Sequence, residues 1–208
     1  MYKYISLFGI IGVAFYFMHI IFGKMFYEGY NPLSQAISDL TAINSSSRKI
    51  ASIFAFLYGI FSIIFSIGFF NYFYGKINIF ITIGSLFFCI MTVISFLGYT
   101  LFPLSVISSE VRNSGTFQDK MHLFVTILVV ATTIVSIILY SIGFMKTNDF
   151  KYLGFISIIA FLLLLIGATL VNILPKDYFG IAERINIYSI MIYSGIISIW
   201  MYTYIKRI

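Results

Sequence analysis

Six long apolar stretches follow one another along the chain, separated by segments that hold most of its polar and charged residues. They cover residues 4–26, 50–73, 78–101, 121–144, 151–173 and 186–205. Each could cross the hydrocarbon core of a bilayer as a helix, which takes about 20 mostly apolar residues. The pattern therefore predicts an all-α polytopic membrane protein: one domain, a bundle of six transmembrane helices, with both termini on the same side.

The connections between these stretches alternate in length. Residues 74–77 and 146–150 form tight connections, whereas residues 28–49, 102–120 and 174–185 form long loops that six spans would place on one face. Each long loop holds a proline near its beginning, and proline cannot continue a helix interior. These prolines, which we expect to mark helix exits, are Pro32, Pro103 and Pro175.

Composition strengthens the membrane assignment. The chain is 61% hydrophobic and 10% charged, against about 45–50% and about 25% for soluble domains. Its net charge is +6, but the basic residues lie between apolar stretches instead of on one basic face, so we expect no nucleic acid as a partner. Cys89 is the single cysteine, which excludes an intrachain disulfide.

The charges give a weaker signal for orientation. Lys and Arg divide almost evenly between the two faces, so the positive-inside rule alone does not choose a direction. The acids are concentrated in the long loops, with Asp149 on the opposite face. We predict a multi-pass protein of the cell membrane with cytoplasmic termini and extracytoplasmic long loops.

A set of polar residues gathers on the long-loop face at or near hydrocarbon depth. Its members are His19, Ser38, Asp39, His122, Glu183 and Arg184. Charged groups near that depth are costly unless they are paired or face water, so they raise a functional hypothesis. The apolar residues among positions 32–40 also predict that this part of the first long loop is a short amphipathic or re-entrant helix that tucks inward.

Three interpretations of this set remain open. In the first, Arg184 binds a lipid headgroup or small anion through its planar fork, and the other five residues line the pocket of a binding or sensing module. In the second, the protein is an intramembrane lipid-modifying enzyme in which His122, or else His19, moves protons and Asp39 is the partner. In the third, Arg184 pairs with Asp39 or Glu183 and closes the bundle of a structural or partner-organising protein, whose partner proteins the sequence does not name.

Metal and cofactor chemistry receive little support from the spacing. His19, His122 and Asp39 are enough ligands for a catalytic zinc ion, which takes about three from the protein. The two histidines, however, stand on different predicted helices, without a paired-histidine motif. We therefore expect no metal and no cofactor.

The order of short motifs resembles a known family. The motifs are His19 in the first span, the segment from Ile37 to Leu40, Phe102-Pro103 before His122, and Gly180-x-x-Glu183-Arg184 before the last span. This combination resembles, over essentially the whole chain, the six-span family known as domain of unknown function 998, and it is distantly similar to the Frag/DRAM/Sfk group. The resemblance implies polar residues gathered at one membrane face, but no established reaction. Relatives have an acid shortly after Phe-Pro, whereas this chain has Leu104-Ser105 and then Glu110.

Overall fold

A computed structural model describes residues 1–105 and 115–207, with side chains through residue 206. The long helices are α1 (Tyr2–Met25), α2 (Arg48–Phe73), α3 (Ile79–Leu101), α4 (Phe117–Met145), α5 (Lys151–Ile173) and α6 (Phe179–Arg207). All six are long and apolar enough to cross a membrane, and no strand occurs in the described ranges. The prediction of an all-α, six-helix membrane protein is confirmed.

The six helices close a ring. Each packs against the next in the chain, and α6 packs against α1. Small residues permit the close approach, as is usual where membrane helices meet. A Cβ at Gly59 of α2 would lie 2.2 Å from the ring of Phe96 on α3, and one at Gly98 of α3 would lie 2.4 Å from Val125 on α4. A larger residue at either position would force the neighbouring helices apart.

Aromatic side chains fill one half of the ring interior. Phe69 and Phe73 of α2, Tyr140 and Phe144 of α4, and Trp200 of α6 are at most 5% exposed. The rings of Phe73 and Trp200 stack with their centroids 5.1 Å apart. This packing joins helices that are not neighbours in the ring. The polar cluster described below lies in the other half.

The aromatic half is the end of the bundle that carries the two short connections, which we call the short-loop end. Here Lys3 lies 5.4 Å from the ring of Tyr202 and Lys76 lies 3.9 Å from that of Tyr72. Asn78 caps α3 by accepting a hydrogen bond from the Ile81 amide, and its own amide donates to the Gly143 carbonyl of α4 at 2.8 Å. The opposite end, with the long loops, is the long-loop end.

Two helices begin four or more residues earlier than predicted, both at the long-loop end. Helix α6 begins at Phe179 instead of residue 186, after a 3-10 turn (Lys176–Tyr178), so the expected loop at 174–185 is largely helical. Glu183 and Arg184 consequently lie in the first turns of the helix. Helix α4 begins at Phe117 instead of residue 121. Hydropathy misses both starts because their first turns carry charged side chains that face the loops.

The first long loop tucks into the mouth of the ring, as predicted. Ile37, Asp39 and Leu40 are at most 2% exposed. The predicted helix over residues 32–40 is wrong in extent, however, since only a 3-10 helix (Ile37–Thr41) forms. The carbonyl groups of Pro32 and Gln35 accept hydrogen bonds from Arg184 instead of continuing a helix.

Candidate functional site

Arg184 anchors the first long loop to α6. Its Nη1 donates to the carbonyl oxygens of Pro32 at 2.6 Å and Gln35 at 2.9 Å, and also to Gly180 at 2.9 Å within α6. Its Nη2 donates to the hydroxyl of Tyr30 at 2.6 Å. These hydrogen bonds all go to neutral oxygens of the loop and of α6, while the charge of Arg184 acts on the neighbouring Glu183.

Tyr30 extends this anchor into the loop. Its hydroxyl accepts from Arg184 and donates to the Ala36 carbonyl at 2.7 Å. The side chain is 7% exposed, and burial raises the pKa of Tyr30 above its ordinary value. The phenol therefore stays protonated and keeps its donor hydrogen for the loop.

The two acids of the set bind amides of the same loop. Glu183 Oε2 accepts from the Ile37 amide at 2.7 Å, and Asp39 Oδ2 accepts from the Ala36 amide at 3.1 Å. Gly180 allows the first long loop to approach α6 closely, since a Cβ there would lie 2.5 Å from the carbonyl oxygens of Pro32 and Gln35. The Gly-x-x-Glu-Arg motif thus holds the first long loop: Gly180 leaves space for the two carbonyl groups to which Arg184 donates, and Glu183 accepts from a loop amide.

A second anchor, centred on Asp119, was missed by the sequence reasoning. Asp119 Oδ1 accepts from the Ser105 amide at 2.8 Å, and Oδ2 accepts from the hydroxyls of Ser105 and Thr116. Thr116 in turn caps α4 by accepting from the Asp119 amide. A hydroxyl three residues before an acid is a capping-box pattern, and that pattern could have identified this anchor. Glu110 lies outside the described residues.

The two histidines are held by different backbone carbonyls. His19 Nδ1 lies 3.0 Å from the Ala51 carbonyl oxygen, and His122 Nδ1 lies 2.7 Å from that of Phe102. A carbonyl only accepts, so Nδ1 carries the hydrogen in both rings and, in the neutral form, Nε2 is the acceptor. Ser38 is half-buried, and its carbonyl accepts from Thr41. In the described ranges no three His, Cys, Asp or Glu side chains are grouped to hold a metal ion.

Five of the six helices contribute a polar side chain to the ring interior near its long-loop end. We call these residues the inner polar cluster: Tyr16 (α1), Tyr58 (α2), Tyr99 (α3), His122 (α4) and Glu183 (α6). The ring centroids of Tyr16 and Tyr58 are 4.8 Å apart, and those of Tyr99 and His122 are 5.0 Å apart. Glu183 is close enough to Tyr16 and Tyr99 to influence the ionisation of both phenols. Helices α3 and α6 are not neighbours in the ring, so Tyr99 and Glu183 approach the cluster from different sides.

The cluster keeps part of its surface accessible. Tyr16, Tyr58, Tyr99 and Glu183 are each half-buried, and His122 is buried. The Tyr99 hydroxyl donates to Thr126 at 3.2 Å. Glu183 uses Oε2 for the loop amide, whereas Oε1 accepts no hydrogen bond from the residues that the structure describes. The cluster therefore brings a carboxyl group, phenol groups and aromatic rings together on partly accessible residues.

Sequence reasoning found part of this cluster. His122 and Glu183 were among the predicted site residues, and the structure brings both into the ring interior. Tyr16, Tyr58 and Tyr99 were not among them, because the chain has 16 tyrosines and tyrosine is also common at the membrane–water interface. Ser38 and Asp39 belong to the loop above the cluster.

Together, the helices and the cluster define an integral membrane protein: six spans in a closed ring with a polar interior under an anchored loop. The comparison with family models agrees, since residues 10–200 match the family described as Protein of unknown function (DUF998). The chain belongs to that family. No curated protein and no solved structure matches it, and the distant similarity to the Frag/DRAM/Sfk group is not confirmed.

Proposed function

We propose that this protein is a binding or sensing module for the polar headgroup of a membrane lipid, or for a small anion, at the long-loop end. The observation that carries the proposal is the inner polar cluster, to which five helices contribute beneath the first long loop. Polar and ionisable groups inside a membrane bundle are expensive, and they mark ligand sites by default. Anchoring the loop requires Arg184 and one oxygen of Glu183, but it does not require the three tyrosines.

Arg184 supports an anionic component of the ligand. Its Nη1 is fully engaged and Nη2 holds Tyr30, whereas Nε makes no hydrogen bond to the described residues. Nε and Nη2 lie on one edge of the planar guanidinium, and an edge of this kind matches a phosphate or carboxylate in a bidentate fashion. A phospholipid headgroup at the mouth of the ring would meet this edge.

Native mass spectrometry of the protein released from its own membranes tests the proposal. We expect a lipid or small anion bound in stoichiometric amount, and we expect Tyr99→Leu to lose a bound lipid while Tyr74→Leu retains it. Tyr74 is the matched control because it is 65% exposed at the short-loop end. Arg184→Ala would be a poor test, since it removes the loop anchor as well. Wild-type protein without bound ligand, or equal retention by both variants, would overturn the proposal.

A second candidate is a lipid-modifying enzyme, favoured by the environment of His122. Its Nδ1 is fixed by the Phe102 carbonyl, which leaves Nε2 to accept a proton. The carboxylate that acts on His122 electrostatically is Asp119, in the role that the sequence suggested for Asp39. Incubation with lipid extracts, followed by mass spectrometry, would reveal turnover that His122→Gln abolishes without loss of bound lipid.

We also propose the cell membrane as the location, with cytoplasmic termini and extracytoplasmic long loops. The contact between Lys3 and Tyr202 supports termini that lie side by side. Lys3, Lys76 and Lys146 each lie over an aromatic ring at the short-loop end. Lysines that flank short connections favour the cytoplasmic side.

A further inference from the structure

The inner polar cluster combines aromatic faces with a carboxylate. The rings of Tyr16, Tyr58 and Tyr99 come from three helices, and Glu183 comes from a fourth. The face of an aromatic ring carries negative potential, and several such faces around a carboxylate form the kind of cage that recognises ammonium groups. We propose that the inner polar cluster binds an ammonium group, primary or quaternary. This assignment rests on the proposed binding function and names the chemistry of the group that enters the ring.

The geometry of the tyrosines suits such a group. Tyr16 and Tyr58 meet edge to face, with centroids 4.8 Å apart and planes inclined by 68°. Two rings at this angle present surfaces in different directions, as the walls of a corner do. Tyr99 is close enough to Tyr58 to influence its ionisation, so the third ring belongs to the same part of the bundle. All three residues are half-buried, so a cation bound among their rings would be partly shielded from water.

Glu183 supplies the charge in its ionised form, which a bound cation favours. Its Oε2 is occupied by the Ile37 amide at 2.7 Å, and this bond fixes the carboxyl group while Oε1 accepts no hydrogen bond from the described residues. A cation that enters the ring gives up water, and a carboxylate in a low-dielectric interior replaces the lost hydration more effectively than neutral groups do. An anion in the same place would meet the carboxylate's repulsion, so the cluster itself selects for positive charge, and an anionic group would instead meet Arg184 at the mouth of the ring.

The described basic residues of the long-loop end other than Arg184 do not oppose this preference. Lys24, Arg48, Lys49, Lys120 and Lys176 are exposed. Arg184 directs Nη1 and Nη2 to Pro32, Gln35, Gly180 and Tyr30. These bonds hold its guanidinium at the loop, although its charge still acts on Glu183.

The ammonium group has two possible sources with the same chemistry. In a zwitterionic phospholipid, the phosphate would contact the Nε and Nη2 edge of Arg184 while the amine enters the cluster. A soluble amine would use the cluster without Arg184. The two sources differ in whether an acyl chain accompanies the cation, and that difference can be measured.

Calorimetric titration of the full chain in an uncharged detergent tests the charge preference. The probes are choline chloride and 3,3-dimethyl-1-butanol, a neutral molecule of nearly the same shape. We expect choline to bind at least about tenfold more tightly than the alcohol, because the shapes match and the charge differs. We expect Glu183→Gln and Tyr58→Leu each to weaken choline binding at least about tenfold. Glu183→Gln keeps an acceptor for the Ile37 amide, so the loop anchor survives.

Matched controls separate local from general effects. Glu28→Gln removes an exposed acid from the same face, and Tyr74→Leu removes an exposed ring from the opposite end. Both should leave choline binding unchanged. Thermal unfolding verifies that each variant is folded, and Tyr99→Leu replaces any cluster variant that does not fold.

Experiments in lipid nanodiscs distinguish the two sources of the ammonium group, a phospholipid headgroup and a soluble amine. Retention of phosphatidylcholine over phosphatidylglycerol in native mass spectra, together with choline binding, would support a lipid headgroup. Choline binding without lipid retention would support a soluble amine. Equal affinity for choline and the alcohol, or undiminished choline binding in both Glu183→Gln and Tyr58→Leu, would overturn the ammonium assignment. Retained phosphatidylglycerol without choline binding would overturn it while the proposed headgroup binding stands, whereas no bound lipid and no bound probe would overturn both.

Discussion

Replacement of Gly180 by alanine is the most direct test of the loop anchor. Gly180 lies in the first turn of α6, where an added Cβ would be 2.5 Å from two loop carbonyl oxygens and 2.7 Å from Arg184 Nη1. The oxygens belong to backbone, so no flexible side chain can move aside. We expect Gly180→Ala to displace residues 30–37 from α6 and to weaken the hydrogen bonds of Arg184.

The magnitude follows from two costs and one gain. Overpacking of a well-packed interior costs about 1–3 kcal/mol, and loss of a hydrogen bond to a charged group costs about 1.5–3 kcal/mol. Alanine is the better helix former by about 1 kcal/mol in a helix interior. We therefore expect the free energy of unfolding to fall by about 2–4 kcal/mol.

Gly195→Ala is the matched control in the same helix. The nearest atom to its added Cβ is the terminal carbon of Ile10 at 3.3 Å, which can adjust. We expect this variant to be within about 1 kcal/mol of the wild type. Equilibrium unfolding in mixed detergent micelles measures both changes, and hydrogen exchange of residues 30–42 reports whether the loop has been released.

The reasoning would be refuted by a Gly180→Ala protein as stable as Gly195→Ala with unchanged exchange in the loop. A stability loss without faster loop exchange would also contradict it, because the cost would then arise elsewhere in α6. The expected result is a stability loss accompanied by faster exchange confined to the loop and the first turn of α6.

The remaining predictions concern the second anchor, the short-loop end and the orientation. Asp119→Asn should lower the free energy of unfolding by about 1–3 kcal/mol, because an amide nitrogen cannot accept from the hydroxyls of Ser105 and Thr116; equilibrium unfolding should show no such loss for the exposed Asp149→Asn. Asn78→Ala should cost a similar amount, about 1–3 kcal/mol, since it removes the cap of α3 and the bond to Gly143; an effect no larger than that of the exposed Asn172→Ala would contradict this role. In a Cys89→Ser background, Ser46→Cys should react with an impermeant maleimide on intact cells and Asn148→Cys should not, and the reverse pattern would invert the proposed orientation.

The contacts of Arg184 show which part of the site the sequence predicts and which part it does not. Its position near the membrane surface and its need for oxygen partners followed from the sequence, and so did the candidates Asp39 and Glu183. Its observed partner Pro32 lies 152 positions away and offers only a carbonyl, a group that every residue carries. No pattern of side chains distinguishes that carbonyl from any other, so only the packed loop could identify it.

The sequence by itself determined the class of the protein, because hydrocarbon imposes a local requirement. A segment that crosses it must satisfy its backbone internally and cover itself with apolar side chains, and this shows as six uninterrupted stretches. The tertiary structure alone decided which polar residues share the ring interior. Tyr16, Tyr58, Tyr99 and Glu183 stand on four different helices, and their meeting depends on the rotation of each helix about its axis. Rotation is set by close contacts such as that between Gly59 and Phe96, which arise only once the ring has closed.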